Sequence, residues 1–351
     1  MLSAGNGFIM QSEKYSRDNA GQSLKKYILL KQGELAYNHG ASKAKQFGCC
    51  YELTEPEARI PYVYHCFKIN DHEYTPFIAM ALNNAKMDKQ LKRLVSSSVR
   101  MDGLLNISFE DYMSVTLHLP SSTEQKHIAD FLKKIDERIA AQEKLLASLK
   151  KYKRGVVKAI LSKRIRFADD RGNYYPEWSE CTLQEVVDFL DGQRKPLESA
   201  DRAKRQGKYP YYGASGIIDY IDDYIFDEPL LLLGEDGANI INRSFPLCFI
   251  ATGKYWVNNH AHVMRPRKGQ NIKFICELLE SLDYTRYNTG TAQPKLNQEK
   301  CRQIALHLPT YEEQCHIAEF LSLVEQKSIH AQTELDSLLR TKNALMQQLF
   351  I

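Results

Sequence analysis

The chain has 351 residues, a length that allows two or three ordinary domains. Its content of 43% hydrophobic and 10% aromatic residues is typical of a globular protein that buries a core, which argues against a disordered chain. The formal net charge of +4 neither requires nor excludes a nucleic-acid partner, so the placement of the charges is more informative than their sum.

No segment predicts export or membrane insertion. Residues 1–21 lack the apolar core of a signal peptide, and the longest aliphatic run, at 229–233, is too short to cross a bilayer. We therefore expect a soluble, cytoplasmic protein. The eight cysteines include no CxxC pair, so we expect reduced thiols and no zinc site.

Residues 1–120 predict a mixed α/β domain. Strand candidates are 27–30 (YILL) and 34–38 (ELAYN), and residues 76–94 are predicted as one helix. Charge or polarity alone makes seven residues of this part candidates for nucleic-acid contact. They are Lys14, Arg17, Lys25, Lys26, Asn38, Lys43 and Lys45.

An internal repeat divides the chain. Residues 117–132 read LHLPSSTEQKHIADFL and residues 306–321 read LHLPTYEEQCHIAEFL, at an offset of 189 residues. Eleven of the sixteen positions are identical. The chain therefore contains two copies of one unit, which must be recognised before any fold is assigned.

A long amphipathic helix follows each copy of the repeat. Apolar residues recur in alternating steps of four and three, the heptad spacing of a coiled coil, which predicts helices at 121–166 and 310–351. The first segment holds 13 Lys and Arg against 5 Asp and Glu, and the second holds 3 against 6. Opposite charges favour pairing between them, and because the chain must return between them, we expect an antiparallel pair.

Residues 167–309 predict a second mixed α/β domain. Strand candidates are 217–221 (IIDYI), 230–233 (LLLL) and 247–250 (LCFI), and 272–282 has helical periodicity. The predicted fold class is therefore α+β. Two mixed α/β domains, at 1–120 and 167–309, are separated by an antiparallel pair of long coiled-coil helices.

Charge points to one segment of the second domain as a nucleic-acid contact. Residues 167–309 carry 17 basic and 20 acidic residues, so a DNA-binding surface would have to be a local basic face. The segment 194–208 is strongly basic and is followed by tyrosines, whereas the acidic run 219–228 is expected to face away from DNA. A solvated charged loop is the alternative. The candidate contact residues are Arg194, Lys195, Lys204, Arg205, Lys208, Tyr211, Tyr212, Lys254, Asn258, His260, Arg286, Tyr287, Gln293 and Lys295.

Motifs for catalysis are missing from the sequence. It contains no GxxxxGK[ST] phosphate loop and no Asn-Pro-Pro-aromatic motif of the kind that amino-methyltransferases use. His260 and His262 form an H-x-H pair without an evident third metal ligand. Glu235 and Asp236 lie between glycines, where they either form a turn or accept a hydrogen bond from cytosine N4. We predict no catalytic residues, no metal and no cofactor bound by this chain.

The end of the first helix is a further basic patch. It carries Lys150, Lys151, Lys153, Arg154 and Lys158. These side chains either meet the phosphates of DNA, meet an acidic face of a protein partner, or form the solvated face of a coiled coil.

Several phrases of the sequence together resemble type I restriction–modification specificity subunits. The two LPxxxEQxxIAxFL helix beginnings look like the repeated helices of that family. Residues 172–178 (GNYYPEW) are similar to the beginning of its target-recognition domains, and 290–297 (GTAQPKLN) to the closing segment. The phrases at 209–226 (YPYYGASGIIDYIDDYIF), 234–239 (GEDGAN) and 258–263 (NNHAHV) are similar to one class of these domains.

The resemblance implies a non-catalytic subunit with two target-recognition domains, each reading one half of a split, asymmetric DNA site. It also implies that the paired helices set the distance between the halves and dock two methyltransferase subunits that use S-adenosylmethionine. Restriction subunits that use ATP and Mg²⁺ are further possible partners. The alternatives are a coiled-coil scaffold or adaptor, a self-contained methyltransferase or nuclease, and a silent, truncated specificity allele.

The sequence departs from this pattern in its first half. Residues 172–189 of the second copy have no counterpart in the first, because subtracting 189 places them before residue 1. Either the first recognition domain is shortened, or the end of the second long helix completes it in a circular arrangement.

Overall fold

The computed structural model contains two compact units. The first unit comprises Met1–Leu145 and Ala331–Ile351, and the second comprises Leu146–His330. The structure describes residues 7–10, 27–42, 45–95, 105–290 and 293–350, together with the backbone of 2–3. Each predicted long helix contributes one part to each unit.

The described residues of the first unit form short strands and helices. The strands are β1 (Leu2–Ser3), β2 (Gly7–Phe8), β3 (Ile28–Lys31), β4 (Leu35–Asn38), β5 (Cys49–Glu52), β6 (Glu57–Ile60) and β7 (His65–Phe67). The helices are α1 (Thr75–Ala81), α2 (Ala85–Leu94) and α3 (Phe109–Met113), and the long α4 (Ser122–Leu161) follows them. The strands pair as β1–β2, as β3–β6 and as a three-stranded sheet in the order β5–β4–β7.

The second unit is richer in strands. They are β8 (Ser179–Thr182), β9 (Val187–Phe189), β10 (Gln206–Gly213), β11 (Gly216–Ile221), β12 (Phe226–Asp227), β13 (Leu230–Gly234), β14 (Cys248–Ala251), β15 (Lys254–Val257), β16 (Ala261–Pro266) and β17 (Ala305–Leu308). The helices are α5 (Leu183–Val186), α6 (Ser199–Lys204), α7 (Asn239–Asn242), α8 (Ile272–Ser281), α9 (Gln298–Arg302) and the long α10 (Tyr311–Leu349). The sheet orders are β11–β10–β15–β12, β14–β13–β16–β9 and β17–β8.

Most predicted elements are confirmed, and one is wrong. The strand predictions at 27–30, 34–38, 217–221, 230–233 and 247–250 correspond to β3, β4, β11, β13 and β14, and the helix at 272–282 corresponds to α8. The single helix predicted at 76–94 is instead α1 and α2. Asn84 separates them because its side-chain oxygen accepts hydrogen bonds from the backbone N–H groups of Lys86 and Met87, both at 2.9 Å, and so caps a new helix.

The long helices pair in antiparallel orientation within each unit. In the first unit, Asp136 forms an ion pair with Lys342 at 2.5 Å, and the Gln142 side chain donates to the Ala331 carbonyl at 2.9 Å. Residue numbers rise along α4 as they fall along α10. In the second unit, Lys153 approaches Glu325 at 3.6 Å. The Lys153–Glu325 pair joins a cation of the basic helix to an anion of the acidic one, as the charge pattern predicts. The Asp136–Lys342 pair has the opposite polarity, with the anion on α4 and the cation on α10.

Both helices also enter the core of each unit. The core of the first unit contains Leu132 of α4 and Phe350, which follows α10 and stacks on Phe77 with ring centroids 5.0 Å apart. The core of the second unit contains Ile160 of α4 and Ile317 of α10. The end of the second long helix therefore packs in the first domain, as the circular alternative predicts. No helix in the described part of the chain is long and apolar enough to span a membrane.

Packing predicts different costs for two leucines on the same helix. Leu132 is fully buried and Leu145 is 48% exposed. Leu132→Ala should lower the free energy of unfolding of the first unit by about 2–5 kcal/mol, because it removes buried methyl groups and leaves a cavity. Hydrogen exchange of peptides covering α1 and α2 measures this loss. Leu145→Ala is the matched control, and an equal effect of both substitutions would contradict the assigned core.

Candidate nucleic-acid interface

Three polar loops meet at one edge of the second unit. They comprise residues 234–238 after β13, 258–260 between β15 and β16, and 293–295 before α9, and we call them the loop cluster. Glu235 N–H donates to the His260 carbonyl at 2.8 Å, Gly237 N–H donates to the Pro294 carbonyl at 3.0 Å, and Leu296 N–H donates to the Glu235 carbonyl at 2.7 Å. Segments far apart in the sequence therefore form one surface.

The turn between β10 and β11 lies against the same edge. Asn258 N–H donates to the Tyr212 carbonyl at 3.1 Å. Gly234 allows the close approach, because a Cβ atom there would lie 2.6 Å from the Ala214 carbonyl oxygen. Four of the phrases that carry the family resemblance thus converge on one place.

A buried polar network supports the loop cluster. The Asp191 carboxylate lies 2.7 Å from His262 Nδ1, accepts from Val263 N–H at 2.8 Å and accepts from the Gln298 side chain at 2.9 Å. On the other side of the ring, His262 Nε2 donates to the Leu296 carbonyl at 2.8 Å. The network therefore ties β16 to the turn at Asp191 and to the segment before α9.

His262 is a cation of this network. Burial would lower the pKa of His262, but the hydrogen bond to Asp191, with further contributions from Cys301, raises it to about 10. Burial would raise the pKa of Asp191, but His262, the Val263 N–H and Arg194 together lower it below its ordinary value of 3.8. Both ring nitrogens are then donors, which fits a carboxylate on one side and a carbonyl on the other. Sequence reasoning missed Asp191, because no local signal links residues 191 and 262.

Arg194 belongs to the same network. Its guanidinium contacts Glu235 at 2.8 Å and Asp191 at 3.5 Å and donates to the Ala261 carbonyl at 2.8 Å. Its side chain is only 14% exposed. These contacts give Arg194 a structural role beside the loop cluster, and its contact with DNA stays a prediction. Glu235 is equally engaged, because Lys295 reaches its other oxygen at 3.4 Å.

The acidic run 219–228 does not face away from the basic segment; it pairs with it. Arg202 contacts Asp219 at 3.1 Å, and Arg205 contacts Asp222 at 2.8 Å. The Arg205 guanidinium also lies 5.1 Å from the centroid of the Trp256 ring. This pairing neutralises the arginines, so Arg205 is not the free cation that charge counting suggested. The expectation that the acidic run faces away from DNA stays a prediction.

Tyr211 supports the basic segment from beneath. It is fully buried, which makes the predicted DNA contact wrong. Its hydroxyl accepts a hydrogen bond from Leu197 N–H at 2.9 Å, and Trp256 Nε1–H donates to the Lys195 carbonyl at 2.6 Å. These two buried rings fix the backbone from which Lys195 and Lys204 project into solvent. Asn258 is also buried and accepts from His260 N–H at 2.8 Å.

The exposed candidates fall into two groups. At the loop cluster, His260 and Lys295 each have half of the side chain exposed, and Gln293 is exposed. At the opposite end of the parallel strands β10 and β15, Lys208 lies over Tyr209 at 5.3 Å and Lys254 lies over Tyr224 at 4.6 Å. Each group combines cations with hydrogen-bonding groups, which is the composition that phosphate and base contacts require.

The remaining predicted residues lie at the margins. Arg286 is exposed and lies 4.9 Å from the centroid of the half-buried Tyr287 ring, and Tyr212 is half-buried against Tyr255. In the first unit, the Lys45 ammonium donates to the Asn83 carbonyl at 2.8 Å. Lys14, Arg17, Lys25, Lys26 and Lys43 lie outside the described residues.

The H-x-H pair does not form a metal centre. His262 is buried with both nitrogens bonded, whereas His260 turns to Asp236 at 2.7 Å. Within the residues that the structure describes, no group of three His, Cys, Asp or Glu side chains could hold a metal ion.

The Asp191–His262 pair predicts a pH-dependent stability of the second unit. Because the folded pKa of His262 is about 10 against an ordinary 6.5, its stabilisation is complete below pH 6.5 and is lost as the pH rises towards 10. Asp191→Asn removes the anion and should cost about 3 kcal/mol at pH 7, with less further loss at pH 9 than in the wild type. Urea unfolding followed by tryptophan fluorescence measures both effects, because both tryptophans lie in this unit.

Asp188→Asn, at a half-exposed ion pair, is the control and should lower the free energy of unfolding by less than about 1 kcal/mol. Equal costs of the two substitutions would refute the network.

Comparison with known proteins identifies the family. The model of the type I restriction modification DNA specificity domain matches residues 25–151 and 175–340. A Haemophilus influenzae protein named as a type I restriction enzyme specificity subunit is 34% identical over 146 residues, which span 41% of this chain but only 36% of that protein.

Two solved structures share the fold. The type I restriction–modification S subunit of M. genitalium covers 93% of this chain and 85% of its own, with a TM-score of 0.58 and 17% identity. A structure described as showing complex assembly and conformational transition of the type I R-M system covers 92% of this chain and 82% of its own, with a TM-score of 0.55 and 15% identity. Since the family model matches most of its length, the chain belongs to the type I restriction–modification DNA specificity family.

Proposed function

We propose that this protein is the non-catalytic subunit that selects the DNA sequence for a type I restriction–modification complex. Each unit reads one half of a split, asymmetric duplex site. Lysines position the protein on the phosphates, and polar side chains at the loop cluster read base edges. The convergence of four family phrases at the loop cluster is the observation that supports this proposal most strongly.

Charge supports the same assignment of roles. The arginines of the basic segment are neutralised internally, whereas Lys195, Lys204 and Lys208 remain exposed. Exposed lysines on a backbone held by buried aromatic rings suit phosphate contacts, which need charge but little geometric specificity. His260 and Gln293 are better suited to base contacts, because they offer directional donors and acceptors.

The partners follow from the family. We infer that the chain docks methyltransferase subunits that use S-adenosylmethionine, and restriction subunits using ATP and Mg²⁺ where these exist. The chain itself is expected to bind no cofactor. The exposed Lys150, Lys151, Arg154 and Lys158 of α4 are a candidate contact for DNA or for a partner, whereas Lys153 is engaged by Glu277 at 2.8 Å.

The direct test is co-expression with the neighbouring methyltransferase subunit, followed by methylation-sensitive sequencing of the host genome. A new split, asymmetric motif would establish two working recognition domains. A motif that fits one half-site, or a symmetric repeat of it, would mean that only one unit reads DNA. A stable complex without new methylation would favour the scaffold or the silent allele.

Phosphate contact predicts a change in salt dependence. Lys204→Gln should weaken DNA binding by the assembled complex about equally for all sequences. It should also reduce the slope of log K against log salt by about one, because one counterion fewer is released. Fluorescence anisotropy at several salt concentrations measures this slope. Lys268→Gln is the control, since Lys268 is exposed beyond the far end of β16; an unchanged slope for Lys204→Gln would remove this residue from the interface.

The helices predict the spacing of the half-sites. Inserting one heptad into α4 after Leu145 and one into α10 after His330, where the two units divide, adds about 10.5 Å of helix. The methylated motif should then gain about three base pairs of spacer, at 3.4 Å each, with both half-sites unchanged. Insertion into α4 alone is the control, because it breaks the register and should prevent a functional complex. An unchanged spacer in the double insertion would contradict the proposal.

A further inference from the structure

Residues that are identical in the two repeats have different surroundings. Leu308 is 5% exposed, whereas its counterpart Leu119 is 40% exposed. Glu313 is buried, whereas Glu124 is exposed. Phe320 is partly buried against Phe167, with ring centroids 5.8 Å apart, whereas the counterpart Phe131 is 49% exposed.

Other parts of the repeat match closely, so the difference is local. The Gln125 side chain accepts from Tyr74 N–H at 3.0 Å and donates to the Pro120 carbonyl at 3.0 Å. Its counterpart Gln314 accepts from Asn271 N–H at 2.9 Å and donates to the Pro309 carbonyl at 3.1 Å. The two units therefore build the beginning of each long helix in the same way.

One stretch of the chain covers the buried repeat residues of the second unit. We call residues 167–189 the cover segment. Its strand β8 pairs antiparallel with β17, and Leu183 N–H donates to the Ile304 carbonyl at 2.9 Å. Tyr175 Oη lies 2.8 Å from His316 Nδ1. The strand β9, at the end of the cover segment, pairs with the outer edge of β16.

The counterpart of β17 in the first unit lies at 116–119 and is not a strand. Thr116 exchanges two backbone bonds with the Gln90 side chain, at 2.9 and 3.0 Å. Because successive residues of an extended chain direct their backbone groups to opposite sides, Leu117 and Leu119 direct theirs away from Gln90. Within the described ranges, neither of these two residues has a backbone hydrogen bond.

The strand of the first unit that corresponds to β16 also has an edge without a partner among the described strands. His65 Nε2 lies 3.2 Å from the Ile107 carbonyl, and His262 Nε2 lies 2.8 Å from the Leu296 carbonyl. The two carbonyl positions are 189 residues apart, which identifies β7 as the counterpart of β16. Whereas β16 pairs with both β13 and β9, β7 pairs only with β4 among the described strands.

An apolar groove lies between these two open edges. It has a volume of about 270 Å³. Its lining includes residues from both edges: Phe67, Ile69, Leu82, Val115, Leu117 and Leu119. In the second unit, Leu183, Val186 and Val187 of the cover segment lie in the core beside β17 and β16 and are at most 3% exposed.

We propose that this groove of the first unit binds a separate polypeptide segment with the chemistry of the cover segment. That segment has a tryptophan, a strand, a Thr-x-x-Glu capped helical turn with aliphatic side chains, and a second strand. The first strand adds to the 116–119 edge, the aliphatic side chains fill the groove, and the second strand adds to β7. Backbone hydrogen bonds then provide affinity and the alternate side chains provide specificity.

A second copy of this chain is a poorer occupant. Its own cover segment is held in its core by Leu183 and Val186, which are 0% and 3% exposed. Donating that segment would leave the second unit of the donor without part of its core. A free segment of the same chemistry carries no such cost.

The test uses a fluorescein-labelled synthetic peptide of residues 166–190 and the full-length protein. We expect saturable binding by anisotropy, weakened at least tenfold by Leu119→Asp in the protein. Leu145→Asp is the matched control, because that leucine is 48% exposed on α4 and does not line the groove. A peptide with Leu183→Asp and Val186→Asp should not bind. Peptide binding should also slow hydrogen exchange at 115–119 and at 67–69.

Three outcomes would overturn the proposal. The first is the absence of binding by a folded protein. The second is binding that Leu119→Asp leaves unchanged, or that protects the second unit instead. The third is a dimer without peptide that Leu119→Asp dissociates, since a second copy would then be the occupant. None of these outcomes depends on DNA, so they are independent of the proposed function.

Discussion

The antiparallel register of the two long helices is the constraint on which both units depend. Leu132 near the start of α4 and Phe350 after the end of α10 lie in the core of the first unit. Ile160 near the end of α4 and Ile317 near the start of α10 lie in the core of the second. Each unit therefore needs the beginning of one helix and the end of the other. A register shift would displace core side chains, so the ion pairs and heptads that fix register also stabilise the domains.

Internal neutralisation explains how a domain with more acidic than basic residues can offer the DNA-binding face that we propose. Arg194, Arg202 and Arg205 are held by carboxylates of the same unit. These pairs consume acidic residues that would otherwise repel phosphate. The cations left for a partner are lysines, which project from a backbone fixed by Tyr211 and Trp256. The arginines thus act as structural supports of the surface.

The sequence predicted the repeat, the two helices and their antiparallel pairing, because these depend on local periodicity and on identity between copies. It predicted the site less well, because charge counting cannot distinguish a lysine in solvent from an arginine in a network. The chemistry of Tyr211 and Arg194 suggests contact with DNA, but burial gives them supporting roles. Asp191 could not be found, because its partner His262 is 71 residues away and lies on another strand.

The two copies also show how much of a repeat a sequence comparison can transfer. Gln125 and Gln314 have the same hydrogen bonds, whereas Leu119 and Leu308 differ in exposure despite their identity. The difference comes from residues 167–189, which pair with and cover the second copy. Environment, and not residue type, therefore determines what each copy can bind.

Hydrogen exchange of a Phe350→Ala variant tests the central claim most directly. If the end of α10 completes the first unit, exchange should accelerate in β4, β5 and α1, while β13 and β16 of the second unit keep the protection of the wild type. Unchanged exchange in the first unit, or equal acceleration in both units, would contradict the account.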